Sequence, residues 1–180
     1  TAVQTPGLML RGAGRYATVF DNRVANGCML TIEATMPFTF QVSGELKDFS
    51  VISTTHPEQS DGICYTATWQ IKTENVRVDG LTGSGFRVFF GLGDGDGPTY
   101  MLFDRICSHN NGGYGLVVDV EGIASENRFM AVKNSWIQNN ALGGMDWKGI
   151  IGSVENTGFT FNRGEFGGFR ARFAGGGGTS

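Results

Sequence analysis

The sequence predicts an all-β fold built as a solenoid, in which short repeats stack and bury their apolar faces against one another. Three observations favour this fold class: an internal repeat, 29 glycines among 180 residues, and 14 phenylalanines without a convincing amphipathic helix. The glycine share is about twice the usual value of about 7%, as many tight corners with positive φ require. Because 40% of the residues are hydrophobic, the chain is also too apolar to be disordered.

Each repeat unit opens on Asn or Asp, then runs through an apolar stretch, a Gly/Asn-rich corner and a second apolar stretch. The opening residues are Asp48, Asn75, Asp104, Asn134 and Asn156. Asn tolerates left-handed φ and its amide can bond the same group one layer below, so we expect a ladder of these residues at one corner. A second polar cluster predicts a ladder at the next corner: His109, Asn110, Asn111, Gln138, Asn139, Asn140 and Asn162.

The second apolar stretch of each unit predicts which side chains face inward, because residues alternate sides along a strand. Two apolar columns are predicted to lie in the core: Phe86, Leu116, Met145 and Phe169, then Val88, Val118, Trp147 and Ala171. Two mixed and charged columns are predicted to face solvent: Arg87, Val117, Asp146 and Arg170, then Phe89, Asp119, Lys148 and Arg172.

The first half of the chain has the same short alternations of apolar and polar residues. They predict strands at residues 8–20 (two strands around a tight turn), 28–34, 38–43, 63–71 and 75–78. Loops are predicted at residues 55–61 and 92–98. We expect one domain over residues 1–174 and a flexible Gly-rich tail over residues 175–180.

Charge and hydropathy argue against two classes of partner. The net charge is −3 and no basic stripe with interleaved aromatics occurs, so we expect no nucleic acid. No apolar run approaches the ~18 residues that span a bilayer, so we expect no membrane partner. Cys28, Cys64 and Cys107 lie in apolar stretches without metal-type spacing. We expect them to be buried core residues rather than bridge partners or nucleophiles.

The strand-turn-strand of residues 7–20 and the repeated units with Asn and Gly-Gly corners resemble the right-handed parallel β-helices of the pectate-lyase-like superfamily. Within it they resemble the phage tailspike and polysaccharide-depolymerase group. The resemblance implies a single-stranded parallel β-helix of about six coils that binds a polysaccharide. It also implies a homotrimer and an extracellular, secreted or virion-surface location. Members of that group usually begin with a helix-capped segment, which this sequence does not show, so a complete unit and a piece of a longer chain both stay open.

Asp119 and Asp146 are the predicted catalytic pair, on adjacent layers and in neighbouring columns. With ~4.8 Å between layers and ~6.6 Å for two residues along a strand, their separation should be about 8 Å. An inverting glycosidase places its two carboxyl groups ~6.5–9.5 Å apart. Arg170 is predicted to hold a sugar carboxylate, and the alternative is a surface ion pair between Asp146 and Arg170. Glu121 and Asp104 are weaker candidates for the acid.

A polysaccharide lyase needs a base and a cation that neutralises a uronic carboxylate. Lys148 and Arg172 on the same face are candidates for both roles, and Arg87 is a further candidate for substrate binding. Phe89 and Tyr114 are predicted to provide aromatic platforms for sugar stacking.

The loop with Asp94 and Asp96 offers carboxylates to calcium, but it lacks the further acids of an EF-hand, and a plain turn is the alternative. We expect no other cofactor. Three functions stay open: a polysaccharide-degrading hydrolase or lyase, a non-enzymatic structural or adhesive β-helix, and a bacterial uronan lyase or epimerase.

Overall fold

The computed structural model describes residues 8–33, 43–66, 70–90, 100–120, 129–148, 151–164 and 167–172. Every regular element in these residues is a β-strand, which confirms the all-β class. No helix in them is long and apolar enough to cross a membrane. The strands are β1 Leu8–Arg11, β2 Val19–Asp21, β3 Gly27–Glu33, β4 Ser43–Ile52, β5 Ser60–Thr66, β6 Gln70–Asp79, β7 Phe86–Phe90, β8 Tyr100–Asp104, β9 Cys107–His109, β10 Tyr114–Val120, β11 Phe129–Lys133, β12 Trp136–Gln138, β13 Gly143–Lys148, β14 Ile151–Glu155, β15 Gly158–Thr160 and β16 Phe169–Arg172.

The strands form six successive layers, numbered 1 to 6 in chain order: β1–β3, β4–β5, β6–β7, β8–β10, β11–β13 and β14–β16. Strands of neighbouring layers pair in parallel. One ten-stranded sheet, the first sheet, runs from β1 and β2 to β14 and β15, and a six-stranded second sheet runs from β3 to β16. Both sheets contribute to one hydrophobic core, so each layer adds side chains to the same interior.

A corner divides the first sheet into two panels. In β4 and β6 the strand continues through the corner, where Asp48 and Asn75 have left-handed φ values of 59° and 52°. In later layers the corner separates two short strands. The first panel consists of β1, residues 43–47 and 70–74, β8, β11 and β14, and the second panel consists of β2, residues 49–52 and 76–79, β9, β12 and β15.

The predicted ladder at this corner is present, with one correction. Asn75 Nδ2 donates to Asp48 Oδ1 at 2.7 Å, and Asn156 Nδ2 donates to Asn134 Oδ1 at 2.9 Å. In layer 4 the left-handed residue is Arg105, with φ of 54°, and not Asp104. Asp104 ends β8 one position earlier, yet its Oδ1 still accepts from Asn134 Nδ2 at 3.0 Å.

The second predicted ladder joins the second panel to the second sheet. Asn111 Nδ2 donates to Asn140 Oδ1, and Asn140 Nδ2 donates to Asn162 Oδ1, both at 2.9 Å. Asn111 and Asn140 are fully or almost fully buried. Because a buried amide without partners costs about 1–3 kcal/mol, these residues have a structural role at the corner.

The predicted inward columns pair in register, and both are buried except in the last layer, where Ala171 is exposed. Phe86 pairs with Leu116, Leu116 with Met145 and Met145 with Phe169. The first three of these side chains are buried, whereas Phe169, in the last layer, is 44% exposed. The Phe86 ring meets Phe103 of the first panel edge-on, with 5.8 Å between ring centroids. The two sheets therefore pack directly on each other.

Glycine precedes this inward column because the second panel comes very close to it. A Cβ on Gly115 would lie 2.3 Å from Ile137 Cγ2, and a Cβ on Gly85 would lie 2.1 Å from Ser108 Oγ. Neither distance is compatible with a side chain at the glycine position. The glycines that open the second apolar stretch in layers 3 to 5 are thus required by close packing rather than by their φ, whereas Gly168 in layer 6 has room for a side chain.

The prediction for the cysteines was wrong: two of them form a bridge, and the third is half-buried on the outward side of β9 rather than in the core. Cys28 and Cys64 form a disulfide between layers 1 and 2, with 6.0 Å between their Cα atoms. Their strands β3 and β5 are neighbours in the second sheet, so a separation of 36 residues in sequence becomes a contact in space. Cys107 is free and half-buried, and burial raises the pKa of its thiol.

The strand-turn-strand at residues 8–20 and the strand at residues 28–34 are confirmed by β1, β2 and β3. The predicted strand at residues 63–71 spans parts of two strands, β5 and β6, which belong to different layers. The predicted loop at residues 55–61 is shorter, since β5 begins at Ser60. Residues 38–42, the loop at residues 92–98 and the tail at residues 175–180 lie outside the described residues.

Candidate functional site

The predicted acid Asp146 lies on the outer face of the second sheet, but it is only 2% exposed. Its Oδ1 accepts a hydrogen bond from Arg170 Nε at 3.0 Å, and its Oδ2 accepts one from Arg170 Nη2 at 2.5 Å. The ion pair that the sequence offered as an alternative therefore forms, and it is buried rather than superficial. A carboxylate so enclosed does not contact a sugar lying on the surface.

The second predicted acid, Asp119, lies one layer away on β10. Its Oδ1 accepts from Lys148 Nζ at 2.7 Å, and both side chains are about one-third exposed. Each predicted acid thus has its own cation in the next layer. Backbone geometry brings Asp119 and Asp146 to adjacent strands, and the side chains then bond along their columns rather than facing each other.

The other residues predicted for this face divide between two clusters. Tyr114 joins the Asp146 cluster, because its hydroxyl accepts from Arg170 Nη2 at 3.3 Å. Arg87 belongs to the other cluster, in which its Nε lies 2.8 Å from Asp61 Oδ2. This contact is an ion pair, but its geometry is not that of a hydrogen bond.

Two further candidates are placed by the strand register. Phe89 is half-buried and pairs with Asp119 across β7 and β10. Arg172 pairs with Lys148 across β13 and β16, and its side chain is outside the described part. Neither position adds an exposed aromatic ring or an unpaired acid to this face.

A groove of about 560 Å³ lies on the outer face of the first panel, across layers 2 to 5. Tyr100 and Phe129 stand in it as neighbours in one column, with 6.1 Å between ring centroids and 47° between ring planes. They are 57% and 38% exposed. Gln70 precedes them in the same column, one layer earlier. The groove therefore presents a two-ring aromatic surface to solvent.

Strand alternation explains why these rings are exposed. In β8 the side chains of Met101 and Phe103 point into the core and are 2% and 0% exposed. Tyr100, Leu102 and Asp104 then point outward, because neighbouring residues of a strand face opposite sides. The outward set lines the groove.

The polar side of the groove is formed by Lys72, Asp104, Lys133 and Asn134. Lys133 Nζ lies 3.2 Å from Glu155 Oε2. Asp104 lies at the corner between the two panels, where its Oδ1 accepts a hydrogen bond from Asn134 Nδ2. These residues lie two to five positions along the chain from the aromatic column, so the groove has one aromatic and one polar wall.

Glu74, next to the groove, is held as an anion. Hydrogen bonds from Lys47 and then Lys72 lower the pKa of its carboxyl to about 2, although desolvation acts in the opposite direction. Arg105 also donates to it. The same Glu74 contact raises the pKa of Lys72. At neutral pH neither group exchanges a proton readily, so both shape the charge of the groove rather than act as acid or base.

The sequence contains a signal for the aromatic column in the strand before each corner, which the repeat units opening on Asn or Asp do not include. In that strand Gln70, Tyr100 and Phe129 occupy equivalent positions, four residues before Glu74, Asp104 and Lys133 respectively. Period-two alternation with Met101 and Phe103 would then have assigned the aromatic rings to the outside.

The residues described here contain one group of metal-ligand type, Cys28, Asp61 and Cys64, whose ligand atoms lie within 4.8 Å of one another. The two sulfurs are bonded to each other. Asp61 accepts from the Ser84 backbone N–H at 2.5 Å and neighbours Arg87. Their ligand atoms are thus already engaged. Asp94 and Asp96, the predicted calcium ligands, lie outside the described residues.

Comparison of the chain with protein-family models, with curated proteins and with solved structures returns no match. The resemblance to pectate-lyase-like β-helices therefore stays a prediction from the residues. Any functional conclusion has to come from the geometry and chemistry of the two outer faces.

Proposed function

We propose that this chain is a polysaccharide-binding protein whose ligand lies in the groove of the first panel. The observation that carries the proposal is the exposed Tyr100–Phe129 pair, one ring per layer, beside a polar wall. Sugars present apolar C–H faces and hydroxyl edges. Aromatic rings match the first, and carboxylate, amide and ammonium groups match the second.

We also propose that the six layers are the coils of a right-handed parallel β-helix. The layers follow in chain order and both sheets pair in that order, without an interruption by another element in the described residues. A chain that leaves a sheet and returns to a parallel neighbouring strand does so with a right-handed crossover in about 98% of cases.

An extended polymer fits this groove better than a small molecule does. Layers are spaced by ~4.8 Å, so equivalent groups recur at that interval along the stack. Gln70, Tyr100 and Phe129 occupy three successive layers of one column. A glycan lying across the strands would meet one of these side chains per layer, and its affinity would be the sum of several weak contacts.

Binding without cleavage is favoured over hydrolysis by one observation: both predicted acids are ion-paired, and Asp146 is buried. Cleavage by Asp119 and Asp146 stays a prediction, as does the lyase or epimerase alternative. The disulfide supports a secreted or virion-surface location, because such bonds persist in oxidising compartments. Homotrimeric assembly stays a prediction from the resemblance.

Affinity electrophoresis through gels containing dextran, xylan, alginate or polygalacturonate tests the proposal. We expect at least one polymer to retard the protein, and Tyr100→Ala or Phe129→Ala to abolish most of the retardation. The matched control is Phe161→Asn, which removes an exposed ring away from the groove at a left-handed position that Asn tolerates. Retardation that survives both groove substitutions would place the ligand elsewhere, and no retardation by any polymer would contradict the function.

A further inference from the structure

We infer that Trp136 forms a second sugar-binding platform on the neighbouring face, an inference that rests on the proposed polysaccharide-binding function. Trp136 begins β12 on the second panel and is 51% exposed. It lies two residues beyond Asn134, which lines the groove at the corner. The platform is therefore next to the end of the groove, on the other side of the corner ladder.

The Trp136 ring is fixed by its neighbours. The indole Nε1 donates to Gln138 Oε1 at 2.6 Å. Gly158 pairs with Trp136 in the next layer, and a Cβ added there would lie 3.5 Å from ring atom Cε3. The ring thus lies along the backbone of β15, where no side chain displaces it. A ring held before binding loses little conformational entropy when a ligand stacks on it.

The layer before Trp136 places a small side chain beside the ring. Cys107 pairs with Trp136 there, and its side chain is small and half-buried. One layer further, Arg77 Nε donates to His109 Nε2 at 3.0 Å, which keeps the guanidinium in place. A fixed apolar ring is therefore followed along the stack by a small side chain and then by a fixed polar group.

A hydrogen-bonding group stands directly beside the ring. Gln138 uses its Oε1 for the indole, and its Nε2 donates no hydrogen bond to another described residue. An amide donor next to an aromatic face matches a pyranose ring, whose hydroxyls surround an apolar C–H face.

A protein partner fits this surface less well than a sugar. Protein interfaces need about 1,000 Å² with an apolar centre, whereas Trp136 is a single ring among polar groups. In its own panel the outward neighbours are Cys107, His109, Gln138 and Thr160. A second copy of the chain therefore becomes one of the outcomes that the experiment has to separate.

The test is tryptophan fluorescence of the whole chain, titrated with the polysaccharides named above and read together with gel retardation. Trp136 is half-exposed and Trp147 is buried, and Trp69 lies outside the described residues, so the contribution of Trp136 is the part of the emission change that Trp136→Phe removes. We expect Trp136→Ala to weaken binding about 3- to 10-fold, as loss of one aromatic contact does. Trp136→Phe should keep most of the affinity but lose the emission change.

The outcomes separate this inference from the groove. If Trp136→Ala binds like the wild type while Tyr100→Ala does not, the platform is wrong and the groove stands. If Tyr100→Ala binds normally and still shows the Trp136 emission change, the groove is wrong and the platform stands. Absence of any binding by the wild type contradicts both.

Two controls cover the remaining cases. If Trp136→Ala does not fold, the wild type alone still tests the platform. A polymer that retards the wild type in the gel but leaves its tryptophan emission unchanged would overturn the platform. Sedimentation without polysaccharide is the second control. An oligomer that forms with increasing concentration of the wild type but not of Trp136→Phe would show that Trp136 contacts another chain, and this result would also overturn the platform.

Discussion

The outer face of the second sheet and the outer face of the first panel use their side chains in opposite ways. On the second sheet, carboxylates and cations of adjacent layers neutralise each other, and Asp146 is 2% exposed. On the first panel, Tyr100 is 57% exposed and no layer of the described part of the chain covers it. A column of charged residues in a stacked sheet can thus indicate ion pairs between layers as readily as a reactive site. A column of exposed aromatic rings does not serve to pair charges between layers.

The largest expected effect concerns the first two layers of the second sheet. Reducing the Cys28–Cys64 disulfide, or replacing both cysteines by Ser, should destabilise the protein by about 4 kcal/mol, because a closed loop of this length restricts the unfolded chain. Thermal melts with and without dithiothreitol measure it, with Cys107→Ser as the control that leaves the bridge intact. A melting temperature that is the same with and without dithiothreitol would contradict the presence of the disulfide.

The next effect separates the two ion pairs of the same sheet. Asp146→Asn removes one partner of a buried pair and should lower the free energy of unfolding by about 3 kcal/mol, because Arg170 loses its counter-charge. Asp119→Asn, the matched control, should cost less than about 1 kcal/mol, since its pair with Lys148 is partly exposed. Urea denaturation measures both. Equal losses would show that burial does not distinguish the two clusters.

A smaller effect sharpens the comparison on the side of the first panel. The folded-state pKa of Glu74 is about 2, below its ordinary value of 4.5. Its contribution is therefore present above pH 4.5 and is lost as pH falls from 4.5 towards 2. With solvent screening we expect the loss to be roughly 1–2 kcal/mol. Stability of the wild type and of Glu74→Gln should converge across this window, and parallel pH profiles would contradict it.

The layered architecture was predictable because its causes are local in sequence. The corner positions need residues that accept left-handed φ, and Asn75 and Asn134 indicate these positions in the sequence. Alternation then fixes the inward column that contains Phe86 and Leu116. Arg105 shows the limit of this reasoning, since the backbone bend is set by stacking on its neighbours and tolerates a residue that sequence does not mark.

The site was harder to predict because burial of an outward side chain depends on its neighbours in other layers. Period two correctly placed Asp146 outside the core and offered its pairing with Arg170, but the loss of contact with water comes from the packing of adjacent strands. Likewise, Cys28 and Cys64 become bonding partners only once β3 and β5 lie side by side. The exposed pair Tyr100 and Phe129 was within reach of the same periodicity, applied to the strand before the corner.

The smallest expected effect decides whether the first panel is a ligand face. Tyr100→Ala should change the free energy of unfolding by less than about 1 kcal/mol, because the ring is largely in water and its main described ring contact is Phe129. Phe103→Ala, three residues later in the same strand, should cost about 3–5 kcal/mol as a fully buried ring. Urea denaturation compares them. A loss at Tyr100 that approaches the loss at Phe103 would mean that the Tyr100 ring is needed for packing. This result would contradict a role of the ring as an exposed surface for a sugar. A small loss combined with lost retardation in polysaccharide gels would assign the ring to binding rather than to folding, which no position on the second sheet's paired columns is expected to show.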